Sequence, residues 1–194
     1  LARPWQPAAV PVAAPTVEVA LPVLPRLAAA APVPPRESAL DPAAARLGQA
    51  VHRALEWVGQ PGRSVEPQRA AQAAAEAFGV DAAAVQAVVA AIVGSADCAR
   101  FFTGPALRWA GNELPMADAD GASLRIDRLV LLTDDGADAA PTWWVLDYKL
   151  RAAPTELPAY REQMARYRQA VRAAQPGALV RCGFITGGGA LVEI

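Results

Sequence analysis

After Gly104 the hydrophobic period of this chain changes, and that change restricts the fold more than any other feature of the sequence. Before it, apolar residues recur at helical spacing; after it come short alternating or wholly apolar runs. Leu47, Val51, Ala54, Leu55 and Val58 predict a helix. It starts at Asp41-Pro42, an N-cap candidate followed by proline at the first helical position, and ends at Gly59. A second helix is expected over Pro67 to Phe78, closed by Gly79. A third covers Asp81 to Val93 with an apolar stripe of Val85, Val88, Val89 and Ile92, and a short helical turn follows near Ala96 to Phe102. Beyond Gly104, the runs Leu107–Leu114, Leu124–Leu132 and Trp143–Leu150 predict three strands in a meander, separated by turn-rich Ala117–Ala122 and Thr133–Pro141. Thr155 to Ala174 reads as a helix, with Tyr160, Met164, Tyr167 and Val171 in register. Leu179–Thr186 and Ala190–Ile194 read as closing strands. The order predicts an α/β sandwich with a mixed sheet and no internal repeat.

The amino-terminal part differs in composition. Nine of the 18 prolines fall within the first 35 residues, which predicts an extended, linker-like segment over 1–37 and a folded domain over 38–194. Val17, Val19, Leu21, Val23 and Leu24 make that segment apolar enough to expect it on the surface of the folded part. Leu1 stands where a start methionine would, and no charged region precedes a compact apolar block, so a piece of a longer chain is expected rather than a signal peptide. No apolar stretch approaches the ~18 residues of a membrane-spanning helix. Two isolated cysteines, Cys98 and Cys182, are too few for a four-cysteine zinc or iron–sulfur site and predict reduced, buried thiols and a cytoplasmic location. No G-x-x-x-x-G-K-[ST] motif occurs, so no ATP site is expected in this chain. The net charge of -1 is unlike that of a protein that grips nucleic acid unaided, and fits a module to which a larger machine delivers the strand.

The chemistry concentrates on two strands. Strand residues two apart share a face, so Asp147 and Lys149 point one way while Leu146, Tyr148 and Leu150 point the other. Two charges on one face of an apolar strand are costly unless they pair or bind an ion. Asp127, inside the apolar run Ile126 to Val130, converges with Asp147 if the strands form a hairpin. Two carboxylates supply hard ligands for Mg²⁺, the metal activates water, and a neighbouring lysine stabilises charge on a phosphoryl group. An Asp–Lys ion pair serving structure alone is the competing reading. His52, the one histidine, lies on the first helix one turn after Gly48, where a small residue lets another segment approach, and one turn before Glu56. Gln163 and Tyr167 are spaced i, i+4 on one face of the last long helix.

Together these residues resemble the RecB-like nucleases of the PD-(D/E)XK superfamily, the domains at the carboxyl end of bacterial ATP-dependent helicase–nucleases. The resemblance spans roughly Ala45 to Ile194 and rests on four elements in order. They are Gly48 to His52 (G-x-x-x-H), Ile126-Asp127-Arg128, Asp147-Tyr148-Lys149, and Gln163 to Tyr167 (Q-x-x-x-Y). It implies a restriction-endonuclease-like core with extra amino-terminal helices. It also implies His52, Asp127, Asp147 and the Tyr148 carbonyl as metal ligands, and Asp127, Asp147 and Lys149 as the catalytic set. Gln163 and Tyr167 would contact DNA, and Arg128 would contact phosphate or pair with a nearby carboxylate. Glu113, in Glu113-Leu114-Pro115, matches an accessory position, and Glu56 is a further candidate. Leu124 and Arg125 fill a space where the family has glycine, and Leu150 replaces a threonine or serine; neither change removes a ligand.

The resemblance implies a Mg²⁺-dependent exonuclease, with Mn²⁺ able to substitute and no iron–sulfur cluster. It would act in double-strand-break repair and recombination on DNA fed by helicase domains of the same polypeptide, with a second subunit as partner. The alternatives are a catalytically silent module that guides single-stranded DNA or docks a partner, and an unrelated metal-dependent hydrolase acting on RNA or a small phosphoester.

Overall fold

Alanine dominates the helical part of the protein. In the computed structural model, which describes residues 42–60, 62, 65–118, 120–133, 140–150 and 153–194, three helices come first. They are α1 (Pro42–Val58), α2 (Pro67–Phe78) and α3 (Ala82–Val93). Ala50, Ala54, Ala70, Ala71, Ala74 and Ala75 are at most 1% exposed and share one core with Val51, Leu55, Val85, Val89 and Ile92. Side chains this small let helix backbones approach closely. α2 stops where expected because Gly79 adopts a left-handed conformation (φ 63°) and its N–H caps the helix end. Asp81 caps α3, accepting from the N–H groups of Ala83 and Ala84. The proline-rich segment, the boundary at Ser38 and the Asp41 cap lie outside the described residues.

A short 3-10 turn, Ala99–Phe101, leads into the sheet. Its strands are β1 (Leu107–Ala117), β2 (Ser123–Leu132), β3 (Thr142–Lys149), β4 (Leu179–Thr186) and β5 (Leu191–Glu193), in spatial order β1-β2-β3-β4-β5. β1, β2 and β3 form the expected antiparallel meander; β4 runs parallel to β3, and β5 antiparallel to β4. A parallel neighbour requires a crossover, which α4 (Pro158–Ala174) supplies. α4 begins three residues later than its apolar spacing suggested, because Pro154–Glu156 form a separate 3-10 turn and Pro158 takes the first helical position. The α/β sandwich with a mixed sheet is the observed architecture. No helix among the described residues is long and apolar enough to cross a membrane.

Each face of the sheet has its own core. Val130, Leu132, Trp144, Leu146, Tyr148 and Ile185 pack with the three helices. Leu129, Val145, Val180, Cys182 and Phe184 pack with Met164, Tyr167, Ala170 and Val171 of α4. Alternation along a strand would keep residues of one parity on one face. In β2 it does not: Val130 and Leu132 face the three helices, whereas Leu124 and Ile126 join the α4 core. β1 switches as well, between Ala110 and Leu114. Glu113 and Asp127 lie at the switch, between the pairs Asn112↔Arg128 and Leu114↔Ile126. Glu113 has φ 51°, a left-handed conformation that a side-chain-bearing residue adopts at a cost of about 1 kcal/mol. Beyond it the β1–β2 hairpin bends over α4, where the Tyr167 hydroxyl donates to the Arg125 carbonyl (2.7 Å) and Arg166 pairs with Asp118.

Candidate metal centre

The β2–β3 ladder runs from Leu132↔Thr142 to Arg128↔Leu146 and stops there. Backbone groups past that point need other partners. The amide of Tyr148 finds one in the Asp127 side chain, donating to Oδ2 at 3.2 Å. Asp147 and Lys149 share the face toward α4, as strand alternation requires: Lys149 Nζ is 2.9 Å from Asp147 Oδ1 and 4.5 Å from the centre of the Tyr160 ring. From the other side α1 brings His52. Its Nε2 lies 3.0 Å from the Tyr148 carbonyl oxygen, its Nδ1 3.6 Å from Asp127 Oδ2, and its ring meets the Tyr148 ring edge-on at 5.2 Å. The left-handed turn at Glu113 completes the cluster, placing ligand atoms of His52, Glu113 and Asp127 within 4.8 Å of one another. Arg125 Nε holds Glu113 Oε2 at 2.8 Å.

Burial governs the electrostatics. Asp147 is 1% exposed, and burial, reinforced by the neighbouring Asp127 carboxylate, pushes its pKa up to about 7 against the pull of Lys149. Burial also raises Asp127, opposed by Lys149. The two aspartates therefore compete for charge, as carboxylates at one site must. Burial lowers the pKa of His52, which favours a neutral ring. A neutral imidazole has one N–H, yet this one stands between two acceptors, the Tyr148 carbonyl and Asp127. One ring nitrogen thus always presents a lone pair toward an oxygen. Three carboxylates (Glu113, Asp127, Asp147) stand against two cations (Lys149, Arg125). An excess of hard oxygen donors with one imidazole suits a divalent cation.

The structure gathers His52, Asp127, Glu113 and the Tyr148 carbonyl at one place, while Asp147, next to Asp127 and paired with Lys149, is not among the ligand atoms that lie within 4.8 Å of one another. Glu113 had only its Glu-x-Pro setting to mark it, and its closeness to His52 and Asp127 is the main addition to the expected set. Four expectations need correction. Arg128 does not face a phosphate or a carboxylate: it is fully buried, and its guanidinium donates to the carbonyls of Phe101 and Gly59 and to Asn112 Oδ1. Glu56 is not grouped with the ligand atoms of His52, Glu113 and Asp127 and pairs with Arg53 at 2.6 Å. Tyr167 is 5% exposed, and its hydroxyl is taken by the Arg125 carbonyl and by Gln163, whose Nε2 donates to it at 2.7 Å. Of that pair only Gln163 remains half-buried and able to meet a strand. At Gly48 an added Cβ would stand 3.9 Å from Leu150, an ordinary contact, so no close approach demands glycine there.

The family model of the PD-(D/E)XK nuclease superfamily matches residues 26–193. The chain belongs to this superfamily. No curated protein matches the chain. Membership agrees with the five-stranded mixed sheet between helices, and it makes the protein a metal-dependent nuclease by type, with DNA as the implied substrate. Within the matched span lie Asp127 on β2 and Asp147-Tyr148-Lys149 on β3.

Proposed function

We propose that this nuclease hydrolyses DNA phosphodiester bonds with Mg²⁺ held by His52, Asp127, Asp147 and the Tyr148 carbonyl, and with Glu113, whose carboxylate stands close to His52 and Asp127, as a further ligand. Mn²⁺ would substitute. The observation that carries this reading is the meeting of α1, β2 and β3 where the β2–β3 ladder opens, with His52 between the Tyr148 carbonyl and Asp127. When bound there, a divalent ion supplies a water of lowered pKa and offsets charge on the phosphoryl oxygens.

The residues around it have separate tasks. Lys149 holds its ammonium between Asp147 and the Tyr160 ring, which restricts a flexible side chain to one place beside the reacting phosphate. From there it donates to the attacking water and stabilises charge building in the transition state. Asp127 accepts from the Tyr148 N–H where β2 no longer pairs with β3, and so helps hold the stretch of β3 whose Tyr148 carbonyl faces His52. Gln163, anchored to Tyr167, is the group on α4 that meets the DNA strand.

The wider role follows from the resemblance to RecB-like domains: an exonuclease acting in double-strand-break repair and recombination in the cytoplasm. The DNA would be delivered by helicase domains of the same polypeptide, joined through the proline-rich segment, with a second subunit as partner. The net charge of -1 supports delivery by such a machine. The test is cleavage of DNA by the full protein with Mg²⁺ or Mn²⁺, with RNA as competitor. Asp147→Ala and Lys149→Ala should each lower the rate by about a hundredfold or more. Wild-type cleavage in either variant removes the assignment, and equal competition by RNA removes the preference for DNA.

A further inference from the structure

Among the described residues Arg128 is the bulkiest side chain that is buried completely, and no carboxylate pairs with it. Such a cation is tolerated because carbonyls occupy its donors. Nε and Nη2 both donate to the Phe101 carbonyl (3.0 and 2.6 Å), and Nη1 donates to the Gly59 carbonyl (2.9 Å) and to Asn112 Oδ1. Asn112 in turn donates from Nδ2 to the Glu56 carbonyl at 2.9 Å. Glu56 and Gly59 mark the last turn of α1, where a helix leaves carbonyls without internal partners and where its dipole favours a positive charge.

The far side of that helix end is already shaped for the guanidinium. A Cβ on Gly59 would come within 2.2 Å of Arg128 Nη1 and 2.7 Å of Cζ, so this position admits only glycine while the arginine is in place. His52 lies one turn before Glu56 on the same helix, and Asp127 directly precedes Arg128 on β2. One strand therefore carries an acidic group of the cluster and, at the next residue, the bracket that holds the helix bearing the imidazole. We infer that Arg128, with Asn112, is a positioning residue: its hold on the last turn of α1 sets the His52 ring against Asp127 and the Tyr148 carbonyl. The consequence for metal binding rests on the function proposed above; the placement of the ring does not.

His52 is the one histidine of these 194 residues, and its imidazole resonances in the full, metal-free protein, identified by their loss in His52→Gln, report this placement. They are sensitive to it because the ring sits edge-on to Tyr148 at 5.2 Å. Arg128→Lys and Gly59→Ala should shift these resonances, and Asn112→Ala should shift them less. Val171→Ala, buried in the opposite core, should lower Tm and leave them in place. In parallel, calorimetric titration with Mn²⁺ should give about 10- to 100-fold weaker binding in the Arg128 and Gly59 variants and none of that loss in Val171→Ala. Folded Arg128→Lys and Gly59→Ala proteins whose imidazole resonances coincide with wild type overturn the inference. If those two fail to fold, Asn112→Ala at a half-buried position decides in the same way. A wild-type protein that binds no Mn²⁺ sinks the proposed function instead, and the resonances still decide the bracket.

Discussion

The two halves of the β2–β3 pair are built from the same strands and do opposite things. From Arg128 to Leu132 the ladder with Thr142–Leu146 is unbroken, and apart from Arg128 the buried side chains along it are Leu129, Val130, Leu132, Trp144, Val145 and Leu146. One step further, at Asp127 and Asp147–Lys149, the ladder is gone and the side chains are charged. The contrast has a physical cause. Where strands pair, backbone groups satisfy each other and apolar side chains fill both cores. Where they part, the Tyr148 amide and carbonyl are left to side chains, and Asp127 and His52 meet them. Chemistry is placed where the fold has stopped satisfying its own backbone.

If this division holds, substitutions on the two halves should separate activity from stability. The largest effect is expected at the open end. Asp147→Asn should reduce DNA cleavage by about a hundredfold or more while the protein stays folded. At the closed end, Leu146→Ala removes a fully buried side chain and should cost about 2–5 kcal/mol of stability, with cleavage by the folded fraction retained. Cleavage rates and chemical denaturation of the two variants measure this directly. Loss of fold in the first, or loss of cleavage without loss of stability in the second, breaks the comparison.

A second effect, smaller, comes from pH. Asp147 has an ordinary value of 3.8 and is pushed up to about 7 in the fold, mainly by burial. A folded-state pKa above the unfolded one means that protonation favours the fold. That contribution is complete below the unfolded value and is lost as pH rises through the folded one. The metal-free protein should therefore lose thermal stability between about pH 4 and about pH 7, and Asp147→Asn should flatten the slope. A divalent ion must displace the same proton, so Mn²⁺ affinity should climb over that window by up to about tenfold per pH unit. Parallel slopes in wild type and variant would place the titrating group elsewhere.

Much of this arrangement was legible in the residue pattern. The ends of α2 follow from Pro67 and Gly79, and the three-strand meander follows from alternation and turn residues. The Asp147/Lys149 face follows from strand parity alone. What escaped depends on tertiary geometry. Nothing local shows that Glu113 turns left-handed, so its approach to His52 and Asp127 was out of reach. The burial of Arg128 is not legible in the pattern, because arginine is ordinarily a surface residue and only the assembled fold shows four acceptor contacts converging on it. Nor does the pattern reveal that the Tyr167 hydroxyl donates to the Arg125 carbonyl, 42 residues away in sequence.

Tyr167 also provides the mildest test of whether every polar group near the open end serves the reaction. Its hydroxyl donates to the Arg125 carbonyl and accepts from Gln163, bracing α4 against the bent hairpin. Tyr167→Phe removes both bonds and keeps the ring in the α4 core. Arg125 is itself exposed, although Leu124 and Ile126 beside it are buried, and the expected cost is about 1 kcal/mol. Burial holds the Tyr167 pKa above its usual value, so the hydroxyl stays protonated and is no proton acceptor for the reaction near neutral pH. Cleavage by Tyr167→Phe should accordingly follow its small loss of stability, with at most a small rise in the apparent KM for DNA as Gln163 loses its anchor. A large rise in KM at unchanged Tm would mean that the hydroxyl leaves Arg125 to bind the strand, and the open end would then extend one helix turn further along α4 than the structure implies.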